Sequence, residues 1–227
     1  MQRLNIAVDG PAGAGKSTVA KAVAARLNIK YLDTGAMYRG IALYITRRGV
    51  NPTDGAAVEK ALPDADIRVI YTDAGQRVLL SGEDVTGLLR TPALSRAASD
   101  VSAHPCVRLY LTEMQRQVAR EYDVIMDGRD IGTNVLKDTP DKFFLTADLP
   151  VRAYRRWLEL SQKDPQADLK SVEKEMGERD YNDSHRAFMP LKQADDAELI
   201  DTSDLSAEEV TERIVSAVLK RYPEREA

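Results

Sequence analysis

The sequence of 227 residues has few of the side chains that stabilise small secreted domains or bind transition metals. Its one cysteine, Cys106, excludes an intramolecular disulfide, favours a reducing compartment and is expected to be a packed side chain. The two histidines, His104 and His185, stand far apart in the sequence, which argues against a histidine-based metal site. We therefore expect a cytoplasmic protein that is stabilised by its own hydrophobic core.

Long apolar runs and a charge excess are also missing. No segment approaches the roughly 18–20 apolar residues of a membrane helix. The first strand pattern starts at Leu4, so we expect no signal peptide. With 32 Lys and Arg against 36 Asp and Glu, the net charge is −4, and there is no overall basic field. Neither nucleic acid nor a membrane surface is therefore expected as a partner.

A glycine-rich motif is present near the start of the sequence. Residues 10–17 read GPAGAGKS and match G-x-x-x-x-G-K-[ST], between a strand pattern at 4–9 and a helical pattern at 18–27. In such a loop the backbone N–H groups point at phosphate oxygens, and the helix N-terminus adds partial positive charge. Lys16 can reach the β- and γ-phosphates and Ser17 can ligate Mg²⁺. The alternative is a glycine-rich turn without a ligand. The predicted nucleoside triphosphate site comprises Gly10, Pro11, Ala12, Gly13, Ala14, Gly15, Lys16, Ser17 and Thr18.

The order of apolar patterns predicts an α/β fold. Strand patterns occur at 4–9, 30–32, 122–126, 142–146 and 197–201, and most are separated by helical patterns, which favours a parallel sheet with helices on both faces. Helices are predicted from a cap at Thr34 through Arg48, from Thr91-Pro92, over 105–121, and after a capping box of Ser206 with Glu209.

Two segments interrupt this order. Residues 64–87 alternate apolar and polar side chains around a turn at 73–75, which predicts a small antiparallel β-hairpin insert. Residues 151–190 are rich in arginine and form two helical stretches separated by Asp164-Pro165, with Asp168 as a cap for the second. This charge either covers a solvated helix face or supplies mobile arginines to phosphates.

The acceptor of the phosphoryl group must also be bound. An acceptor that is itself a phosphate is largely ionised at pH 7, so it needs cations rather than a general base. Candidate cations are Arg39, Arg129 and the cluster at 179–186. Arg129 follows the carboxyl end of a strand, where ligands of open α/β sheets bind.

Two carboxylates flank Arg129 in the sequence. Asp127 could orient a water on Mg²⁺, and Asp130 could accept a hydrogen bond from an exocyclic amine such as N4 of cytosine. The alternatives are that Asp130 only pairs with Arg129, and that Arg39 is an exposed helix arginine.

Five segments together resemble the bacterial cytidylate (CMP) kinases. They read GPAGAGKST at 10–18, LDTGAMYR at 32–39, GEDVT at 82–86, DGRDIGT at 127–133 and ERDxxD at 178–183. The resemblance implies a P-loop NTPase fold like that of adenylate kinase, with a five-stranded parallel sheet, flanking helices, a small antiparallel β insert and a helical lid. It implies one kinase domain over 1–227, comprising a core (1–33, 105–150 and 191–227), a monophosphate-binding part (34–104) and a lid (151–190).

The resemblance also implies an activity: Mg²⁺-dependent phosphoryl transfer from ATP to CMP, with dCMP as a second acceptor, in a cytoplasmic monomer. Ligands of the acceptor phosphate are Thr34, Arg39 and Arg129. Cytosine contacts are Ser99, Arg108 and Asp130, and ribose and phosphate contacts from the lid are Arg179, Asp183 and Arg186. Arg155 and Arg156 match positions near ATP. The candidate metal ligands, Ser17 and Asp127, come from the phosphate-loop motif and the strand end instead, and many relatives have glycine where this sequence has Ser17. The catalytic cations are Lys16, Arg129, Arg155, Arg179 and Arg186.

The residues alone leave two other hypotheses about the function open. The first is a kinase for UMP or for a small molecule that is not a nucleotide, on the same scaffold. Asp130 would discriminate there, because uracil offers a carbonyl where cytosine offers an amine. The second is a regulatory GTPase switch, which would normally carry an Asn-Lys-x-Asp motif that this sequence lacks.

Overall fold

The computed structural model describes residues 3–162 and 164–225. The chain divides into two compact units, a larger one of residues 1–30 and 122–227 and a smaller one of residues 31–121. The division into core, monophosphate-binding part and lid stays a prediction.

Eight strands and eight α-helices lie within the described residues. The strands are β1 (Asn5–Asp9), β2 (Lys30–Asp33), β3 (Ile67–Thr72), β4 (Gly75–Leu80), β5 (Glu83–Asp84), β6 (Val124–Asp127), β7 (Asp141–Thr146) and β8 (Glu198–Asp201). The helices are α1 (Lys16–Arg26), α2 (Thr34–Arg47), α3 (Gly55–Ala61), α4 (Pro92–Ser102), α5 (Pro105–Glu121), α6 (Leu149–Ser161), α7 (Leu169–His185) and α8 (Ala207–Arg221).

The main sheet confirms the predicted fold class. Its five strands are ordered β2-β6-β1-β7-β8, and the pairings of β1 with β6, β1 with β7 and β7 with β8 are parallel. The inner strands β1 and β6 are almost wholly buried, as expected for a parallel sheet covered on both faces. Their carboxyl ends carry Asp9 and Asp127, so two acidic residues end adjacent strands at one edge of the sheet.

Helices α1 and α8 pack against each other in the larger unit. The predicted capping box is present, since Ser206 and Glu209 each accept a backbone N–H of the other. The predicted stripe on α8 is buried at Val210, Ile214 and Val218. Helix α1 starts at Lys16, two residues before the predicted Thr18, because the end of the phosphate motif forms its first turn.

Helices α6 and α7 form a packed pair. Asp168 caps α7 as predicted, accepting the N–H of Ser171. Trp157 packs against the small core of Ala153, Val172 and Met176, and its Nε1 donates to the carbonyl of Ala167 at 2.9 Å. No helix within residues 3–162 and 164–225 is long and apolar enough to cross a bilayer.

The smaller unit contains the predicted hairpin. Strands β3 and β4 pair antiparallel from Ile67 opposite Leu80 to Thr72 opposite Gly75, and the short β5 extends the sheet. Gly40 of α2 permits a close approach here, because a Cβ at that position would lie 2.5 Å from Cδ1 of Ile67.

Some local predictions were wrong. Asp33, not Thr34, caps α2, because the Asp33 side chain accepts the N–H of Ala36 and Thr34 is already helical. Helix α3 was not predicted, since its seven residues bury only Val58 and Ala61 and give little periodicity. A π-helical turn at Ile131–Val135 was also missed, because it depends on contacts with another strand.

Candidate active site

The phosphate loop joins β1 to α1 and requires glycine at two crowded positions. Gly10 has φ +142°, and a Cβ there would lie 1.9 Å from the carbonyl oxygen of Leu145. Gly13 has φ +76°, and a Cβ there would lie 2.8 Å from the terminal methyl of Met176 and 3.0 Å from Cβ of Arg152. The loop therefore passes directly under β7 and the α6–α7 pair, where side chains would not fit.

Lys16 is a buried cation in the first turn of α1. Its Nζ donates to the carbonyl of Pro11 at 2.6 Å. Burial, together with the positive charge of Arg129, lowers the pKa of Lys16 to about 7, although Asp127 and Asp9 act in the opposite direction. An anionic ligand beside Nζ would favour the charged ammonium, so this environment suits a lysine that binds phosphate.

Ser17 and Asp127 meet across the loop. The Ser17 hydroxyl donates to Oδ2 of Asp127 at 2.5 Å, joining the start of α1 to the end of β6. A hydroxyl and a carboxylate are hard oxygen donors, the chemistry that Mg²⁺ prefers when phosphates and waters supply its remaining ligands. The pair therefore fits the predicted metal site, at which phosphates and waters would supply the other ligands. Among the described residues there is no group of three or more His, Cys, Asp or Glu that could hold a metal ion by itself.

Three predicted arginines converge on one carboxylate, that of Asp183 in α7. Arg129 Nε donates to Oδ2 at 2.9 Å, Arg186 Nη1 lies 3.4 Å from Oδ1, and Arg179 Nε lies 4.0 Å from Oδ2. Burial alone would raise the pKa of Asp183, but the three guanidinium groups outweigh it and lower that pKa below its usual value. The cluster is a strongly cationic site organised around a buried, ionised carboxylate.

Asp130 is buried and has partners on its own turn and on α7. Its Oδ2 accepts from Nδ2 of Asn134 at 3.1 Å, and its Oδ1 lies 3.9 Å from Nη2 of Arg186. Adjacent residues of one loop thus point to different partners, Arg129 to Asp183 and Asp130 to Asn134 and Arg186.

The arginines of α6 have separate surroundings. Arg155 donates to the carbonyl of Thr202 at 2.6 Å and Arg156 to Glu159 at 2.8 Å, with the Arg156 side chain 40% exposed. Their predicted place near ATP stays a prediction. Arg152 was not predicted as a site residue, yet it is buried and donates to the loop carbonyl of Ala12 at 3.0 Å and to Asp180 at 2.6 Å.

In the smaller unit, Arg39 is organised by a local carboxylate. Its Nη2 donates to Asp33 at 3.0 and 3.2 Å, while the same carboxylate caps α2 through Ala36. The side chain of Gln76, in the insert, makes two hydrogen bonds with the backbone of Asp33. It accepts the Asp33 N–H at 2.6 Å and donates to the Asp33 carbonyl at 3.3 Å. Arg39 is thus held at the start of α2 rather than being a freely exposed helix arginine.

The predicted base-contacting residues of the smaller unit lie on α4 and α5. Arg108 is 2% exposed, lies over the ring of Tyr38 at 5.5 Å, and donates to the carbonyl of Ser102 at 3.4 Å. The Ser102 hydroxyl donates to the carbonyl of Ser99 at 2.7 Å. Arg108 and Ser99 therefore belong to one polar cluster, and Thr34 is buried in the first turn of α2.

One further residue adjoining the site was missed. Asp9 ends β1 directly before the phosphate loop, is 4% exposed, and accepts two backbone N–H groups of the turn after Asp130. Burial raises the pKa of Asp9 to about 7, although those two N–H groups oppose the shift. An acidic residue at the end of an apolar strand was the available sequence signal.

Comparisons with known proteins agree with this geometry. The family model "Cytidylate kinase" matches residues 6–220. The chain is similar to cytidylate kinase of Caldicellulosiruptor bescii, 46% identical over 97% of this chain and 97% of that protein. It is also similar to cytidylate kinase of Clostridium botulinum (strain Loch Maree / Type A3), 44% identical over 97% of this chain and 100% of that protein.

A solved structure shares the fold alone. An uncharacterised protein of Eubacterium ventriosum superposes with a TM-score of 0.54 at 15% identity, over 96% of this chain and 99% of that chain. The family match and the two relatives, which extend over nearly the whole chain, carry the stronger conclusion. With its phosphate loop, its arginine cluster and these full-length matches, the chain belongs to the cytidylate kinase family.

Proposed function

We propose that this protein transfers the γ-phosphoryl group of ATP to CMP, giving ADP and CDP. The observation that carries the proposal is the loop at 127–130, which ends a strand beside the phosphate loop and presents Arg129 and Asp130 to different partners. A cation for the acceptor phosphate and a carboxylate for the base come from adjacent residues. This matches the activity named for the relatives.

The donor side rests on the phosphate loop. Lys16 would bind the β- and γ-phosphates and spread the charge that moves during transfer. Its Nζ donates to the Pro11 carbonyl, which a phosphate oxygen can replace with a stronger, charge-assisted bond. Ser17 and Asp127 would hold Mg²⁺, which would neutralise phosphate charge when bound. Arg155 and Arg156 are proposed to act near ATP.

The acceptor side rests on arginines. Arg129, Arg179 and Arg186 would hold the acceptor phosphate and the moving phosphoryl group, with Asp183 keeping them in place and contacting the ribose. Thr34 and Arg39 are proposed as further phosphate ligands. The acceptor oxygen is already ionised at neutral pH, so no general base is needed.

Cytosine is proposed to be recognised by Ser99, Arg108 and Asp130. Asp130 is ideally suited to accept from N4, because a carboxylate attracts an amine and repels the carbonyl that uracil carries at the same place. We also propose dCMP as a second acceptor, since phosphate binding by arginine and base recognition by Asp130 do not need the 2′-hydroxyl. The protein is proposed to act as a cytoplasmic monomer.

A coupled assay of nucleoside diphosphate formation tests the proposal. The purified protein is incubated with ATP, with and without Mg²⁺, and with CMP, dCMP, UMP, AMP or GMP as acceptor. We expect turnover with CMP and dCMP, weak turnover with UMP, and loss of activity without the metal. Slow GTP hydrolysis with no acceptor used would contradict the proposal and favour a GTPase.

The variant Asp130→Ala tests the base assignment. We expect the KM for CMP to rise and the preference for CMP over UMP to fall by about 10- to 100-fold, the range for one specific base contact. Asp195→Ala, which removes a side chain that is 98% exposed, is the control. Unchanged discrimination in Asp130→Ala would refute this role for Asp130.

A further inference from the structure

Asp9 is the last residue of β1, and its carboxylate is buried. Its Oδ1 accepts the backbone N–H of Ile131 at 2.8 Å, and its Oδ2 accepts that of Gly132 at 2.7 Å. Both oxygens are therefore engaged by two successive amides of one turn. Such charge-assisted bonds are stronger and more directional than neutral ones.

These two amides open the π-helical turn Ile131–Val135, and Asp130 before it provides no side-chain cap. The first N–H groups of a helical turn have no partner within the turn. Asp9 supplies that partner from another strand. Gly132 lies beside this contact, since a Cβ there would touch Oδ2 of Asp9 at 3.4 Å and lie 3.2 Å from Cδ of Lys142.

Strand β1 fixes the loop on both sides of Arg129 and Asp130. Before them, the carbonyl of Val8 accepts the N–H of Gly128 at 3.0 Å. After them, Asp9 holds the next two amides. Because the backbone is tied to one strand at both ends, β1 sets the direction in which the two intervening side chains leave the loop.

We infer that Asp9 is a positioning residue for acceptor recognition. Its carboxylate fixes the backbone from which Arg129 holds the acceptor phosphate and Asp130 contacts the base. This inference rests on the proposed function, because it assigns Asp9 a share in the same site. Gly10 follows Asp9 directly, so the same strand end also begins the phosphate loop. One buried carboxylate thereby sets the donor loop and the acceptor loop relative to each other.

The variant Asp9→Asn replaces one of the two carboxylate oxygens, each of which accepts a hydrogen bond, by an NH₂ group. The size of the side chain stays the same. Its amide NH₂ must face one of the two N–H groups, so that end of the turn loses its anchor. We expect the KM for CMP to rise about tenfold and the CMP-over-UMP preference in kcat/KM to fall about tenfold, since small misplacements of binding groups have large kinetic effects. Asp9 also acts on the pKa of Lys16, so the substitution could alter phosphate binding as well. Because the preference is the ratio of kcat/KM for CMP to that for UMP, an effect through Lys16 that is equal for both nucleotides cancels.

Asp141→Asn is the matched control. Asp141 is also a buried carboxylate of the main sheet, but it begins β7 and pairs with Arg221. We expect Asp141→Asn to lower the Tm without changing the CMP-over-UMP preference. If Asp9→Asn behaves in the same way, with a lower Tm and an unchanged preference, its role is structural only and the inference is wrong.

A double mutant distinguishes action through Asp130 from a separate effect. In the Asp130→Ala background, Asp9→Asn should leave the CMP-over-UMP preference unchanged, because the group that it positions is gone. A further multiplicative loss would contradict the inference. If Asp9→Asn does not fold, Gly132→Val adds methyl groups beyond a Cβ that would already touch Oδ2 of Asp9, so it should displace the same contact and lower the preference in the same direction. If the unaltered protein fails to phosphorylate CMP, the proposed function itself fails, which is a different outcome.

Discussion

Arg129 in the larger unit and Arg39 in the smaller unit are held by carboxylates at very different distances along the chain. Arg129 pairs with Asp183, 54 residues away and on another helix. Arg39 pairs with Asp33, six residues away, and that carboxylate also caps the helix carrying Arg39. A long-range pair holds two elements together, whereas a local pair only orders one turn. Substitutions in the two units should therefore have different consequences.

The difference extends to burial. The side chain of Asp183 is 7% exposed and pairs with three guanidinium groups at once, while that of Asp33 is 14% exposed and also accepts a backbone N–H. The arginines around Asp183 are therefore costly to leave without their carboxylate. At the start of α2, water and the backbone can replace part of what a lost side chain supplied.

The largest effect is expected at Lys16, a buried cation of the larger unit. Lys16→Ala should lower kcat by about 1,000-fold, equivalent to about 4 kcal/mol of transition-state stabilisation, because no other side chain takes its place at the phosphates. Steady-state kinetics with CMP and a thermal unfolding scan measure the effect. Lys21→Ala, an exposed position of the same helix, is the control. Near-normal turnover in Lys16→Ala would refute the role of this lysine.

The next effect is on stability, at Asp183. Asp183→Asn should lower the free energy of unfolding at pH 7 by about 3 kcal/mol, because it leaves neighbouring arginines without their buried partner. Urea unfolding measures it, with Asp195→Asn as the exposed control. A loss no larger than that of the control would show that the long-range cluster does not stabilise the larger unit.

The same variant makes a prediction for pH. The pKa of Asp183 is lower in the folded protein than in the unfolded chain. Its contribution is therefore complete above about pH 4, the unfolded value, and is lost as the pH falls through the folded value. Unfolding free energies measured between about pH 2.5 and 7 should decline less steeply on acidification in Asp183→Asn than in the unaltered protein. Equal slopes would contradict this account.

A smaller and mainly kinetic effect is expected at Arg39. Arg39→Ala should raise the KM for CMP by about tenfold, consistent with one charge-assisted phosphate contact, and should change the Tm little because Asp33 still caps α2. Steady-state kinetics and a thermal scan measure both quantities. Arg47→Ala, on the same helix and paired with Glu83 in solvent, is the control. A large fall in Tm would show that the local pair matters as much as the long-range one.

The smallest effect is expected at Gln76 of the insert. Gln76→Ala removes the two bonds to the Asp33 backbone and should cost about 1 kcal/mol of stability, with a modest rise in the KM for CMP. Urea unfolding and kinetics test it, and Gln166→Ala, at an exposed position, is the control. If kcat falls and the KM stays the same, Gln76 acts in some way other than by ordering the start of α2.

Local signals predicted much of the fold. The capping box of Ser206 with Glu209, the cap at Asp168 and the hairpin turn near Gly75 each depend on residues a few positions apart, and each prediction was confirmed. The cap of α2 was assigned to Thr34 because hydroxyl and carboxylate side chains both cap helices, and the sequence does not show which one precedes the first helical residue.

The sequence by itself determined the phosphate loop, the order of strands and helices, and the set of arginines available to phosphates, because these depend on short spacings and on composition. Only the tertiary structure decided which carboxylate each arginine meets, that Lys16 is buried, and that Asp9 anchors the turn after Asp130. Those contacts join residues more than 50 positions apart or depend on how strands and helices enclose a side chain. Local propensity carries no information on such pairings, which form only when distant elements pack together.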